Sequence, residues 1–141
     1  MVVVDANVLL YAVSTASAHH EQARAWLDRS LGGAEGVGLA WVALLAFVRL
    51  STSRAVFSAP LTADDATEQV EHWLGAPAAV VVQPTTRHAG LLRGLLRDAG
   101  TAGNLTTDAH LAALAIEHGA EIVSYDRDFD RFRGVRHRLP D

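Results

Sequence analysis

Two short apolar runs in this chain each break on aspartate, and a third aspartate opens a helix between them. Val2-Val-Val4 runs into Asp5, with Asn7 two residues on. Glu121-Ile-Val-Ser-Tyr125 runs into Asp126 and Asp128. Asp108 stands at the head of a helical pattern, Thr106-Thr-Asp108-Ala-His110-Leu-Ala-Ala113. Strands that feed helices form parallel sheets, and ligands of such sheets sit outside the carboxyl ends of the strands. Acids at two strand ends and one helix start are therefore expected to meet in one crevice. Carboxylates that close repel each other unless protons or cations neutralise them. A hard divalent cation with oxygen ligands is the natural solution. The pattern points to a magnesium or manganese site used for phosphate chemistry.

Hydrophobic periodicity supplies the frame around these acids. Val2–Val4, Gly36–Leu39, Ala79–Val82, Ile122–Ser124 and Val135–His137 read as strands. Helices are expected over Asn7–Val13, from His20 to Leu31, over Trp41–Ser51, from Thr62 to Leu74, from Leu91 to Ala99 and from Asp108 to about His118. Gly32-Gly33, Gly100 and Gly119 close three of them. Only Arg49 carries charge in the Trp41–Ser51 segment, which predicts a largely buried helix. Strands alternating with helices, without repeat or linker, give one α/β domain over residues 1–141 with a central parallel sheet.

Composition narrows the chemistry. Cys is absent, so disulfides, thiolate metal sites and a cysteine nucleophile are excluded. All twelve basic residues are Arg. Without Lys the P-loop cannot operate, and neither can receiver-type or haloacid-type phosphoryl transfer in its usual form. A net charge of −4 argues against bulk electrostatic binding of nucleic acid, yet five Arg gather between Arg127 and Arg138 beside the acids. No apolar run is long enough to span a bilayer. Met1 leads straight into the first strand, with no room for a signal peptide, so a cytoplasmic location is expected.

Taken singly, each acid has a plain structural explanation beside the functional one. Asp5 at a strand end is a common turn residue, although a charge closing a three-valine strand is costly unless it faces solvent or a ligand. Asn7 either orients Asp5 or caps the short helix, and capping is the commoner role. Asp108 suits the first turn of a helix for its dipole alone, with Thr106 or Thr107 as the expected cap. Asp126 and Asp128, at i and i+2 beyond a strand, form the stronger signal. Asp130 is expected in solvent because Phe129 and Phe132 must turn inward. His110 lies about 200° round the helix from Asp108 and should face away. The other histidines lack zinc-like spacing and are assigned to no metal.

The chain resembles PIN-domain proteins, and among them the VapC-type toxins of bacterial toxin–antitoxin pairs. The resemblance spans nearly the whole length and rests on three segments in order. These are Val4-Asp5-Ala-Asn7-Val-Leu-Leu-Tyr11, Gly103-Asn104-Leu-Thr-Thr-Asp108-Ala-His110 through Ala115, and Ser124-Tyr-Asp126-Arg-Asp128-Phe129. It implies a three-layer α/β/α sandwich, Mg²⁺ or Mn²⁺ held by clustered acids, and hydrolysis of RNA phosphodiesters. Asp5, Asp108 and Asp126 match the metal-associated catalytic acids, Asp128 a less regular neighbour, and Ser124 a hydroxyl that helps hold the cluster. Arg49 is a candidate phosphate contact, or equally a structural partner for an acid. A small VapB-like antitoxin and a homodimer are the implied partners. Trp26, Trp41, Trp73 and the leucine-rich helices offer more large apolar groups than one small core needs; most are expected in the core, and the surplus suggests a homodimer and a groove for an antitoxin segment.

One departure matters. The family often carries a Glu in the helix after the second strand, whereas Trp41-Val-Ala-Leu-Leu-Ala-Phe-Val-Arg49 contains no acid. Either Asp126 and Asp128 complete the site, or the chain is a degenerate, non-catalytic module that binds RNA or protein.

Overall fold

A computed structural model describes all 141 residues. In chain order the elements are β1 (Val2–Val4), α1 (Ala6–Val13), α2 (His20–Leu31), β2 (Val37–Leu39), α3 (Trp41–Ser51), α4 (Ala63–Leu74), β3 (Ala79–Val81), α5 (His88–Ala99), α6 (Thr106–Glu117), β4 (Glu121–Val123) and β5 (His137–Arg138). All strand pairs are parallel, in the order β3-β2-β1-β4-β5. From β1 the chain winds outward to β2 and β3, then crosses to β4 and β5. The winding direction reverses between β1 and β4, which is where a parallel sheet opens its ligand crevice.

The sheet is short-stranded and held by burial on both faces. Val2, Val3 and Val4 are all shielded from water, and their alternation divides the core. Val2 and Val4 join α1 to α4 on one side, with Trp26, Leu27, Phe47 and Trp73. Val3 joins α5, α6, Phe129 and Phe132 on the other. This is the expected α/β/α sandwich. Gly38 of β2 shows how tightly the layers close. A Cβ there would meet the Val2 carbonyl and a Val82 methyl at 3.0 Å, and a Val3 methyl at 3.1 Å.

Three local expectations need correction. The helix α6 has no threonine cap. A 3₁₀ turn over Gly103–Leu105 runs directly into Thr106, and buried Leu105 occupies the cap position. Packing, aided by the positive φ of Gly103, sets that helix start. The fifth strand is His137–Arg138 rather than Val135–His137, because Val135 packs beyond the Gly134 turn and pairing begins with the Ile122 N–H on the Arg136 carbonyl. The helix α3 is buried along only one face. Ala43, Leu44, Phe47 and Ser51 point inward, while Trp41, Leu45 and Arg49 share an exposed face at four-residue spacing. Trp26 and Trp73 are core residues, as expected of most of the large apolar groups, and Trp41 alone of the three tryptophans is surplus to the interior.

Candidate functional site

The site is built where β1 and β4 end side by side. The N–H of Asp5 donates to the Val123 carbonyl at 3.0 Å, continuing the β1–β4 register and placing Asp5 next to Ser124. Asp5 then caps α1, accepting from the Ala6 N–H at 2.7 Å. Asn7 is therefore not the cap. Its side chain reaches across to β4, donating to Ser124 Oγ at 3.1 Å and accepting from the Tyr125 N–H at 3.2 Å.

Ser124 is fully buried and ties the acids together. Its hydroxyl donates to Asp5 Oδ2 at 2.7 Å and accepts from the Asp126 N–H at 2.9 Å. With the Asn7 amide as second donor, one proton and two lone pairs are all used. Asp126 in turn accepts from the Asp128 N–H at 2.8 Å, which opens the 3₁₀ turn Arg127–Arg131. That turn drives Phe129 and Phe132 into the core and leaves Asp130 exposed, as expected.

Asp108 approaches from the first turn of α6. Carboxylate oxygens of Asp108, Asp126 and Asp128 lie within 4.8 Å of one another. Asp5 stands outside that radius but acts on the same group electrostatically. Burial first, then the charges of Asp5, Asp126 and Asp128, push the Asp108 carboxyl up to about 7. Burial also raises Asp5, against the lowering effect of the Ser124 and Ala6 hydrogen bonds. A site that makes its own carboxylates reluctant to ionise is short of positive charge. Oxygen donors at this spacing fit a hard divalent cation, which takes several such ligands at about 2.0–2.6 Å.

Other candidates fall away from this centre. Arg49 is exposed on the last turn of α3, about 12 Å along the helix axis from Trp41. It forms no ion pair, so neither of its suggested roles has a contact to support it. Asp64, Asp65 and Glu68 make a second acidic group on the first turns of α4, but all three are exposed and suit the helix dipole. Clefts between α2 and α4, between α1, α2 and α4, and between the end of α1 and the Val56–Leu61 segment all lie away from the acids. Metal-assisted phosphate chemistry needs converging carboxylates more than an enclosed volume, so the acid cluster is the better candidate.

Two histidine arrangements escaped the sequence reading. His137 Nε2 donates to the Ser124 carbonyl at 2.9 Å while Nδ1 lies 3.0 Å from exposed Asp130, so His137 braces the site from β5. His110 does face away from Asp108, as expected, but it is not solitary. It meets His88 Nε2 at 2.8 Å, and His88 Nδ1 meets Glu117 at 2.7 Å. The seven-residue spacing of His110 and Glu117 on one face of α6 was the available signal; the α5 partner was not legible.

The profile of the PIN domain family matches residues 2–135. The chain belongs to the PIN-domain family. Its curated relatives include VapC proteins. The PIN domain is 59% identical over 140 residues to Ribonuclease VapC37 of Mycobacterium tuberculosis, covering 99% of this chain and 97% of that protein. It is 43% identical over 136 residues to Ribonuclease VapC33 of the same species, covering 96% and 95%. Among solved structures, the PIN fold superposes on VapBC2 from Rickettsia felis, bound to a DNA fragment from its promoter, with a TM-score of 0.72 at 16% identity and full coverage of both chains. M. tuberculosis VapC20, a sarcin-ricin loop cleaving toxin, gives 0.69 at 18% identity, covering 96% and 99%. At such identities the structural likeness speaks for the fold alone.

Proposed function

We propose that this PIN domain is a divalent-metal-dependent endoribonuclease and the toxin of a toxin–antitoxin pair. The observation that carries the reading is the convergence of Asp5, Asp108, Asp126 and Asp128 on the sheet edge, with Asp108 raised to about 7. Near relatives named ribonucleases over the full length support it. Asp5, Asp108, Asp126 and Asp128 would hold Mg²⁺ or Mn²⁺, the last three being the most closely grouped. A bound cation supplies Lewis-acid charge that lowers the pKa of water and offsets charge on the phosphate. The chain's own part is geometric. Ser124 and Asn7 fix Asp5, the Asp126 carboxylate fixes the turn carrying Asp128, and His137 holds the β4 end.

A small VapB-like antitoxin is the proposed partner, with the cleft between α1, α2 and α4 as a groove of suitable shape, lined by Val13, Leu27 and Trp73. Trp41 and Leu45, 46% and 59% exposed on one face of α3, offer an apolar surface for a homodimer. No helix is long and apolar enough to cross a membrane, and a cytoplasmic location belongs to the proposal because RNA is the substrate. The first turn of α3 carries Trp41, Val42, Ala43 and Leu44, so no carboxylate from it reaches the site. A single tightly held ion is the expected consequence.

The test is RNA cleavage by the purified protein with calorimetric metal titration alongside. Chelation, Asp5→Asn or Asp108→Asn should abolish cleavage with the fold retained. Asp126→Asn and Asp128→Asn should each weaken metal affinity, and Ser124→Ala, which removes a partner of a site carboxylate, about 10–100-fold. Cleavage that survives chelation would sink the mechanism. Unchanged affinity in both C-terminal variants would remove Asp126 and Asp128 from the ligand set.

A further inference from the structure

Three aromatic rings meet around Tyr125, the residue between Ser124 and Asp126 of the acid cluster. Tyr125 lies between Ser124, which holds Asp5, and Asp126. Tyr11 stands on α1, the helix that Asp5 caps. His19 closes the group from the segment joining α1 to α2. Each ring touches the other two: His19 and Tyr125 stack at 4.3 Å between centroids with planes 29° apart, Tyr11 and His19 lie at 5.4 Å, and Tyr11 and Tyr125 at 5.3 Å.

The group is held as a unit by polar contacts. The Tyr125 N–H is fixed by Asn7 at 3.2 Å, and its hydroxyl donates to Gln22 Oε1 at 3.0 Å. The His20 Nδ1–H donates to the Tyr11 carbonyl at 2.9 Å, and Ser17 Oγ accepts from the His19 N–H at 3.1 Å. Tyr11 and Tyr125 rest against the α1–α4 core, but His19 is exposed. An exposed imidazole stacked on Tyr125 and tilted against Tyr11 adds little to a core. It does add a solvent-facing ring to the Tyr125 side chain, which lies between Ser124 and Asp126 in the chain.

We infer that Tyr11, His19 and Tyr125 form a stacking subsite for an unpaired nucleobase of single-stranded RNA flanking the scissile phosphate. The inference rests on the ribonuclease reading for its substrate and deepens it. Single-stranded RNA is recognised by splaying bases onto aromatic faces. The His19–Tyr125 stack already has the near-parallel geometry a base would adopt on it. A net charge of −4 makes such a contact more useful here, because phosphate attraction alone is weak. Asn7 joins the two functions, since one side chain braces both the Ser124–Asp5 pair and the Tyr125 backbone.

The experiment uses the full chain carrying Asp108→Asn, which prevents cleavage, and two fluorescein-labelled probes. One is a mixed-sequence single-stranded oligoribonucleotide; the other is an abasic ribose-phosphate strand of the same length. The base-bearing strand should bind about tenfold more tightly, in keeping with loss of one stacked base. Adding His19→Ala or Tyr125→Leu should erase that preference while leaving affinity for the abasic strand unchanged, and Tyr125→Phe should retain it. His19→Ala alters an exposed side chain, so its result stands even if Tyr125→Leu fails to fold. Equal binding of the two probes, or a preference that survives both substitutions, overturns the subsite. Cleavage of the same RNA by the unsubstituted protein is measured separately, so a failed ribonuclease reading is told apart from a failed subsite.

Discussion

Asp108 is the residue on which the site's electrostatics turn. Its carboxyl is raised to about 7 by burial and by three neighbouring acids. A raised carboxyl binds more protons folded than unfolded between the ordinary value of 3.8 and about 7. Metal-stripped protein should therefore lose stability as pH rises through that window and regain it on acidification. Asp108→Asn should flatten this part of the profile and stabilise the metal-free chain at pH 8 by about 1–2 kcal/mol, after discounting for solvent screening. Urea unfolding with chelator, at pH 5 and pH 8, checks both statements. A profile identical in parent and variant would show that the acids do not crowd Asp108. Adding a divalent ion should reverse the effect in the parent, since a cation rewards the ionised form.

Among the elements, α5 and α6 are joined by a polar latch in an otherwise apolar layer. Burial pushes the Glu117 carboxyl up, but hydrogen bonds from the Thr85 side chain, His88 and the Thr85 backbone more than offset this, and its pKa ends below the ordinary value. Glu117 accepts the His88 Nδ1 proton at 2.7 Å, and the far nitrogen of His88 shares a hydrogen bond with His110 Nδ1 at 2.8 Å. A chain of fixed donors and acceptors pins the start of α5 to α6, and α6 carries Asp108. Glu117→Gln should lower stability by about 1–3 kcal/mol, because it removes charge-assisted bonds and disorders the histidine tautomers. Chemical denaturation measures this. A change within a few tenths of a kcal/mol would mean the latch is decoration on a layer held by Leu95, Leu111 and Leu114.

For the whole molecule, the open question is what covers α3. Its outer face pairs Trp41 with Leu45 in a fold whose other two tryptophans are buried. On the dimer reading, Trp41→Glu should convert a homodimer to a monomer, seen by light scattering across micromolar concentrations, without unfolding the chain. A parent that is strictly monomeric over that range would remove the dimer from the proposal.

The sequence by itself determined the layered α/β architecture and the identity of the acids. Both are written in local pattern: three valines that must be buried on two faces, and aspartates placed where strands end and a helix begins. Asp5, Asp108, Asp126 and Asp128 were legible because backbone periodicity alone aims them at one edge of a parallel sheet. The tertiary structure decided everything that depends on contacts between distant segments. Ser124 and Asn7 were readable as supporting residues, but their shared hydroxyl and amide bonds join positions more than a hundred residues apart. The His88–His110–Glu117 chain and the Tyr11–His19–Tyr125 stack likewise need two elements brought together by packing. The exposed face of α3 was misjudged for the same reason. Hydrophobicity says how much a residue favours burial, and only the packed layers say how much room the interior has.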